Sequence, residues 1–309
     1  MNICILGGGG FVGGHLASLL VARGHRLTIP CRSRERIKPL LVLPSVQVIE
    51  ADIHDQDTLV RLCTGADAVI NLVGILHGSE ADFQRAHAQL PARVVAACRA
   101  AGVRRLLHMS ALGAATDSPS LYQRSKAEGE RQVMQAGDLA VTVFRPSVIF
   151  GHGDSFLTLF AGLLRLAPVM PLAGAGARFQ PVHVGDVARA FADSLDDPDS
   201  HGHAYCLCGP RVYTLRQLVE ATATAVGRKP LILPLGERAS YWFARLMELK
   251  PGRKMMTRDN HYAMCSDNVC PEGAGDRFGA ATSLEAVIGY LREDGLRARY
   301  NHFRRAARR

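Results

Sequence analysis

The chain has 309 residues, 48% hydrophobic and 21% charged, with 30 glycines and 15 prolines. These globular proportions exclude disordered and fibrous classes, and the length calls for one large α/β unit or a nucleotide domain with an appended lobe. No run reaches the roughly 18 apolar residues needed to cross a bilayer, and in a chain of net charge +9 two local groups of cations stand out, Arg32–Arg36 and Arg304–Arg309, which suits a phosphate ligand and a basic tail rather than one continuous nucleic-acid face.

Met1-Asn2-Ile3-Cys4-Ile5-Leu6 runs straight into glycines without a cationic leader, so it reads as a strand and a cytoplasmic protein is expected. Further strands are predicted at Arg26–Cys31, Val46–Glu50, Ala68–Leu72, Arg105–Met109 and Val141–Arg145. Helical patterns separate them near Phe11–Arg23, Asp55–Cys63, Ala81–Ala101 and Ser120–Gln135. Six strands in that alternation predict an α/β Rossmann-type doubly wound parallel sheet. Ligands of such sheets sit beyond the carboxyl ends of the strands, so Gly7, Arg32, Asp52, Asn71 and Ser110 are expected to line one crevice. After Arg145-Pro146 the pattern loosens into Gly/Pro-punctuated segments. The expected division is a dinucleotide domain over 1–150, with a return segment near 178–192, and a smaller substrate lobe over 151–309. The eight cysteines fall mostly in apolar runs, and reduced core thiols are expected.

Gly7-Gly8-Gly9-Gly10-Phe11-Val12-Gly13 follows a strand and opens a helix. Glycines let the backbone approach a diphosphate, and the helix N-terminus stabilises its charge. The spacing satisfies two glycine patterns and does not choose between Rossmann families. At the end of the second strand, where an acidic residue would hold a ribose hydroxyl, the chain has Arg32-Ser33. A guanidinium there suits a 2′-phosphate, so NADP(H) is favoured and NAD(H) stays open. Asp52, with Ile53, follows the third strand and faces either the adenine or, with Asp55, the cap of the next helix. Tyr122 and Lys126 stand four apart on a predicted helix. The ammonium can approach the phenol and favour its ionised form, which brings Tyr122 toward acid/base work.

These motifs, with Val69–Gly74, Ser110-Ala111-Leu112-Gly113, Arg145–Gly151 and Pro181–Ala188, resemble the extended short-chain dehydrogenase/reductase superfamily. Within it the chain is similar to the atypical branch of the nucleotide-binding accessory subunit of respiratory complex I. The resemblance implies that Tyr122 exchanges a proton with a substrate oxygen, that Lys126 binds the nicotinamide ribose, and that Ser110 is the candidate orienting hydroxyl. It also implies cofactor contacts from Leu72, Val73, Gly74, Pro146 and Val148. One departure stands out. Ala111-Leu112 occupies the place where typical members carry the catalytic hydroxyl, which leaves the tetrad incomplete.

His201-Gly202-His203-Ala204-Tyr205-Cys206-Leu207-Cys208 carries ligand-type residues, but its alternation reads as a strand, and no metal is expected. His183 and Asp186 are taken as structural. The helix Ser240–Lys250 holds the only tryptophan and, with the basic tail, can rest on an anionic membrane surface or pack on the lobe. Two functions follow. The first is an NADP(H)-dependent oxidoreductase or epimerase-like enzyme whose substrate is an apolar carbonyl or quinone-related molecule, because few charges lie between Ser155 and Pro171. The second is a non-catalytic NADPH-binding factor in a respiratory or quinone-biosynthesis complex. Nucleic acid is not an expected partner.

Overall fold

The computed structural model describes residues 1–249, 257–273, 276–292 and Arg304. The first half runs β1 (Asn2–Leu6), α1 (Phe11–Ala22), β2 (Arg26–Cys31), β3 (Val46–Glu50), α2 (Gln56–Cys63), β4 (Ala68–Asn71), α3 (Glu80–Phe83), α4 (Leu90–Ala101), β5 (Arg105–Met109), α5 (Leu121–Met134) and β6 (Ala140–Pro146). The second half begins with β7 (Ile149–Phe150), α6 (Leu157–Leu166), β8 (Val169–Leu172), β9 (Arg178–Phe179), β10 (Val182–His183), α7 (Val184–Asp193) and β11 (His203–Leu207). It continues with β12 (Tyr213–Thr214), α8 (Leu215–Ala225), β13 (Leu231–Pro234), α9 (Glu237–Leu249), α10 (Arg258–Ala263) and α11 (Leu284–Val287).

Seven strands form one parallel sheet in the order β3-β2-β1-β4-β5-β6-β11. The strand alternation in the sequence counted six; β11 adds the seventh by pairing with β6 from His203↔Thr142 to Leu207↔Pro146. Both faces are covered, so the inner strands β1, β4 and β5 are buried along almost their whole length. Successive residues of β1 divide between the faces: Ile3 and Ile5 join Leu16, Leu20 and Phe191, whereas Cys4 and Leu6 join Leu59, Val94 and Leu106. Chain order reverses between β1 and β4, which opens a crevice at their carboxyl ends. A separate core of Phe150, Leu157, Phe179, Leu218 and Leu284 holds the second lobe.

Three sequence expectations need correction. The helix expected over Ala81–Ala101 is broken, because a π-helical segment, Gln84–Gln89, separates α3 from α4. Pro91 has no N–H to give to the carbonyl four residues earlier, that of His87. The freed turn is where α5 comes closest: a Cβ on Gly129 would lie 1.8 Å from that carbonyl oxygen. Secondly, the cysteines are not all thiols, since Cys208 and Cys270 form a disulfide that spans 62 residues. Among the free ones, Cys265 is exposed rather than in the core. Thirdly, β4 ends at Asn71, one residue early, because the Asn71 side chain turns back to accept from the Val73 amide at 3.1 Å. The basic run 305–309 lies outside the described residues.

Candidate functional site

The glycine turn forms the floor of the crevice. Gly7 has φ +79°, a conformation costly for any residue with a Cβ. A Cβ on Gly13 would stand 2.5 Å from the Gly8 Cα and 2.6 Å from the Gly7 oxygen, so the helix can start this close to the strand only without a side chain. Gly10 caps α1 without a side-chain bond, and no acidic residue occupies the first turn. The first amides of the helix, from Phe11, Val12 and Gly13, therefore have neither an intrahelical acceptor nor a competing carboxylate. This cradle fits a diphosphate.

At the neighbouring strand ends, Arg32 is exposed and enters no ion pair among the described residues, and Ser33 is half-buried. Glu50, closing β3, reaches the same end and accepts from the Arg34 amide at 2.7 Å. Asp52 is exposed and accepts from the His54 amide at 2.9 Å, while Asp55 alone caps α2 through Thr58. Ile53 is half-buried beside it. Leu72 continues the line of β4, donating its amide to the Leu6 oxygen at 2.9 Å, and Val73 and Gly74 follow it into the crevice.

A buried polar cluster lies between β4, β5, the π turn and α5. Lys126 is 3% exposed and its Nζ donates to the Met109 carbonyl at 2.9 Å; a Cβ on Gly74 would sit 3.4 Å from that Nζ. His87 Nε2 accepts from the Ile75 amide at 3.0 Å. That bond leaves Nδ1 as the ring donor toward Ser125 Oγ at 2.9 Å, and Ser125 in turn donates to the Tyr122 carbonyl at 2.8 Å. The His87 ring meets Tyr122 edge-on at 5.3 Å. On β5, His108 Nδ1 lies 3.2 Å from Asn71 Nδ2. Burial, reinforced by the Lys126 charge, pulls both His87 and His108 down to about 3, so both rings are neutral. Burial also brings Lys126 down to about 8.

Tyr122 corrects a sequence expectation. Its phenol is pushed up to about 12, first by burial and then by the Asp259 carboxylate, where proximity to Lys126 predicted the opposite. The ammonium is committed to Met109, and desolvation dominates. Asp259 was missed entirely. From α10 it accepts from Ser120 Oγ at 3.0 Å, from the Leu121 amide at 2.6 Å and from the Tyr122 amide at 3.3 Å. It thus completes the cap of the helix that carries Tyr122 and Lys126. Asn268 does the same for the adjoining loops: its Oδ1 accepts from Ser147 Oγ at 2.6 Å and the Val148 amide at 3.1 Å, and its Nδ2 donates to the Leu112 oxygen at 3.2 Å. Pro146, ending β6, accepts from the Leu112 amide at 2.9 Å. Arg145 pairs with Glu130 and ties β6 to α5.

Ser110 is buried, its amide bound to the Phe144 oxygen at 2.7 Å, and its Oγ has no partner among the described residues. A buried hydroxyl left without a bond is costly, and at the end of β5 it fits a ligand oxygen. Ala111 beside it has no hydroxyl to offer. Elsewhere, His183 accepts from the Gly185 amide as the cap of α7, and Asp186 binds Arg189 and Thr282. Cys208 is spent in the disulfide.

The family model for the NAD-dependent epimerase/dehydratase family matches residues 3–208. The chain belongs to that family. Among curated relatives, it is 30% identical over 274 residues to mouse NADH dehydrogenase [ubiquinone] 1 alpha subcomplex subunit 9, covering 86% of this chain and 72% of that one. It is 30% identical over 237 residues to ceramide reductase of Caulobacter vibrioides, covering 75% and 73%. It is also 28% identical to 2-alkyl-3-oxoalkanoate reductase of Stenotrophomonas maltophilia, over 80% and 82%. Among solved structures, an NADPH-dependent quinone oxidoreductase of Escherichia coli complexed with NADPH overlays with a TM-score of 0.75 at 20% identity, over 94% of this chain and all of the other. That likeness concerns the fold. The family is one of NAD-dependent epimerases and dehydratases. No helix among the described residues is long and apolar enough to cross a membrane.

Proposed function

We propose that the chain is an NADP(H)-dependent reductase of an apolar carbonyl, a long-chain keto compound or quinone-type molecule, with Tyr122 as proton donor. The observation that carries this reading is that Lys126 Nζ is held on the Met109 carbonyl next to Ser110, whose Oγ has no partner among the described residues, with Tyr122 one turn before Lys126 at the start of α5 and its phenol pushed up to about 12. When bound, the nicotinamide supplies the hydride. A phenol held protonated at neutral pH is set to give a proton to a carbonyl oxygen as that oxygen gains charge. Lys126, fixed by Met109, faces the Gly74 backbone and would hold the ribose, and Ser110 Oγ would orient the substrate oxygen. Arg32, exposed and in no ion pair among the described residues, supports the 2′-phosphate preference. The names of the two reductase relatives support an alkyl-bearing carbonyl substrate.

A second reading is favoured by Ala111, which leaves the tetrad short of a hydroxyl, and by the complex I subunits among the relatives: a protein that holds NADPH without turnover within a respiratory assembly. NADPH oxidation followed with long-chain 3-oxo esters and quinones separates the two, with Tyr122→Phe as control. Turnover abolished by Tyr122→Phe supports the reductase. Tight NADPH binding with no oxidation of the nucleotide by any substrate supports the assembly role.

A further inference from the structure

The second lobe carries an apolar surface that the dinucleotide site does not use. β8 and β13 make a two-stranded parallel ribbon in which Leu231 lies beside Val169 and Leu233 beside Pro171. Because side chains alternate along a strand, Met170 and Leu172 turn into the lobe core while Val169, Pro171, Leu231 and Leu233 face outward together. Leu166, at the end of α6 just before the ribbon, is 86% exposed. On α9, which follows the ribbon directly, Trp242 is 63% exposed, and Leu246 stands one turn further on. Six of the eleven exposed large apolar residues among those described are these.

The ribbon and its two approaches carry cations only, whereas α9 mixes Glu237 and Glu248 with Arg238 and Arg245. Arg165, Arg228 and Lys229 are exposed where the two strands begin, and Arg228 donates to the Arg165 carbonyl, which joins the two approaches. None of the three pairs with a carboxylate among the described residues, and residues 155–172 and 221–236 contain no Asp or Glu. The Arg245 guanidinium lies 5.9 Å from the Trp242 ring centre. A stable protein interface takes roughly 20–30 residues a side. A cluster this small, apolar at the tip with uncompensated cations beside it, instead matches a plane of anionic headgroups over an acyl layer, where apolar insertion and lysine or arginine attraction add.

We propose that the β8–β13 ribbon, with Leu166 and the Arg165, Arg228 and Lys229 cations, docks the protein peripherally on an anionic lipid surface. This does not depend on turnover or on which substrate is reduced. Flotation of the full chain with phosphatidylcholine vesicles containing about a third phosphatidylglycerol, against pure phosphatidylcholine vesicles, is the test. The expected result is binding to the anionic vesicles alone, weakened by salt. Leu231→Asp with Leu233→Asp, and separately Arg228→Glu with Lys229→Glu, each reduce the bound fraction by about tenfold or more while NADPH affinity stays as in the wild type. The charge pair keeps the test valid if the aspartates impair folding. No flotation of the wild type, or flotation that neither pair of substitutions reduces, overturns the proposal; the second result would assign binding to another part of the chain.

Discussion

The diphosphate cradle and the Tyr122 cluster are built by opposite routes. Gly7–Gly13 is one stretch of backbone whose geometry comes from the absence of side chains, set between the strand before it and the helix after it, with Ile29, Ile37 and the Leu72–Val73 backbone close against its glycines. Tyr122 is held from far away in the chain: by His87, which bonds Ser125 of its own helix, and by Asp259, 138 residues from Leu121, across the start of that helix. The cradle is therefore built within the dinucleotide-binding sheet, whereas the start of the acid/base helix also depends on Asp259 from the second lobe. That difference separates binding from chemistry, and substitutions can divide the two.

The largest effect is expected from Gly13→Ala. Backbone at 2.5 Å leaves no room for a methyl group, so loop and helix must part; NADPH affinity should fall by about a hundredfold or more in a calorimetric titration. An unchanged Kd would mean that the cradle is not the diphosphate site. Asp259→Ala tests the other route. It removes three bonds at the start of α5, and should leave NADPH affinity within about twofold while lowering melting stability by about 1 kcal/mol, the usual scale of a lost cap. Turnover, where measured, should fall through kcat rather than KM. Loss of NADPH binding in this variant would break the contrast drawn here.

A third test concerns the strap between α10 and Cys270. Cys270→Ser, or a reductant acting on the wild type, should cost about 2–4 kcal/mol of stability, because the disulfide closes a loop of 62 residues. The same melting temperature with and without reductant would show that the pair is not oxidised. The smallest effect is a pH dependence. His87 and His108 are held near 3 against an ordinary 6.5, so between those values the unfolded chain binds protons that the folded chain refuses. Stability is thus fully present above about 6.5 and falls as pH drops toward 3. Melting temperatures from pH 7 to 4 should show that decline, with a shallower slope in His108→Asn.

What the sequence disclosed follows the same division. The parallel sheet, the glycine turn and the Tyr122–Lys126 spacing are local patterns, and each could be read from a few adjacent residues. Pro91 was also legible as a helix break, and applying its effect on the residue four before it would have pointed to the freed carbonyl of His87. Asp259, Asn268 and the Cys208–Cys270 pair carry no local pattern, because their partners are brought to them by the tertiary fold. The direction of the Tyr122 shift was misjudged for the same reason: a spacing shows that a cation is near, but not that burial outweighs it or that the ammonium is already engaged.

The central claim is that the amides at the start of α1 bind a phosphorylated nicotinamide dinucleotide. Calorimetric titration of the purified chain with NADPH and with NADH, repeated on Arg32→Asp, addresses it directly. Saturable NADPH binding is predicted, tighter than NADH by about tenfold and losing that advantage in Arg32→Asp. A folded chain that gives no heat with either nucleotide would contradict the account.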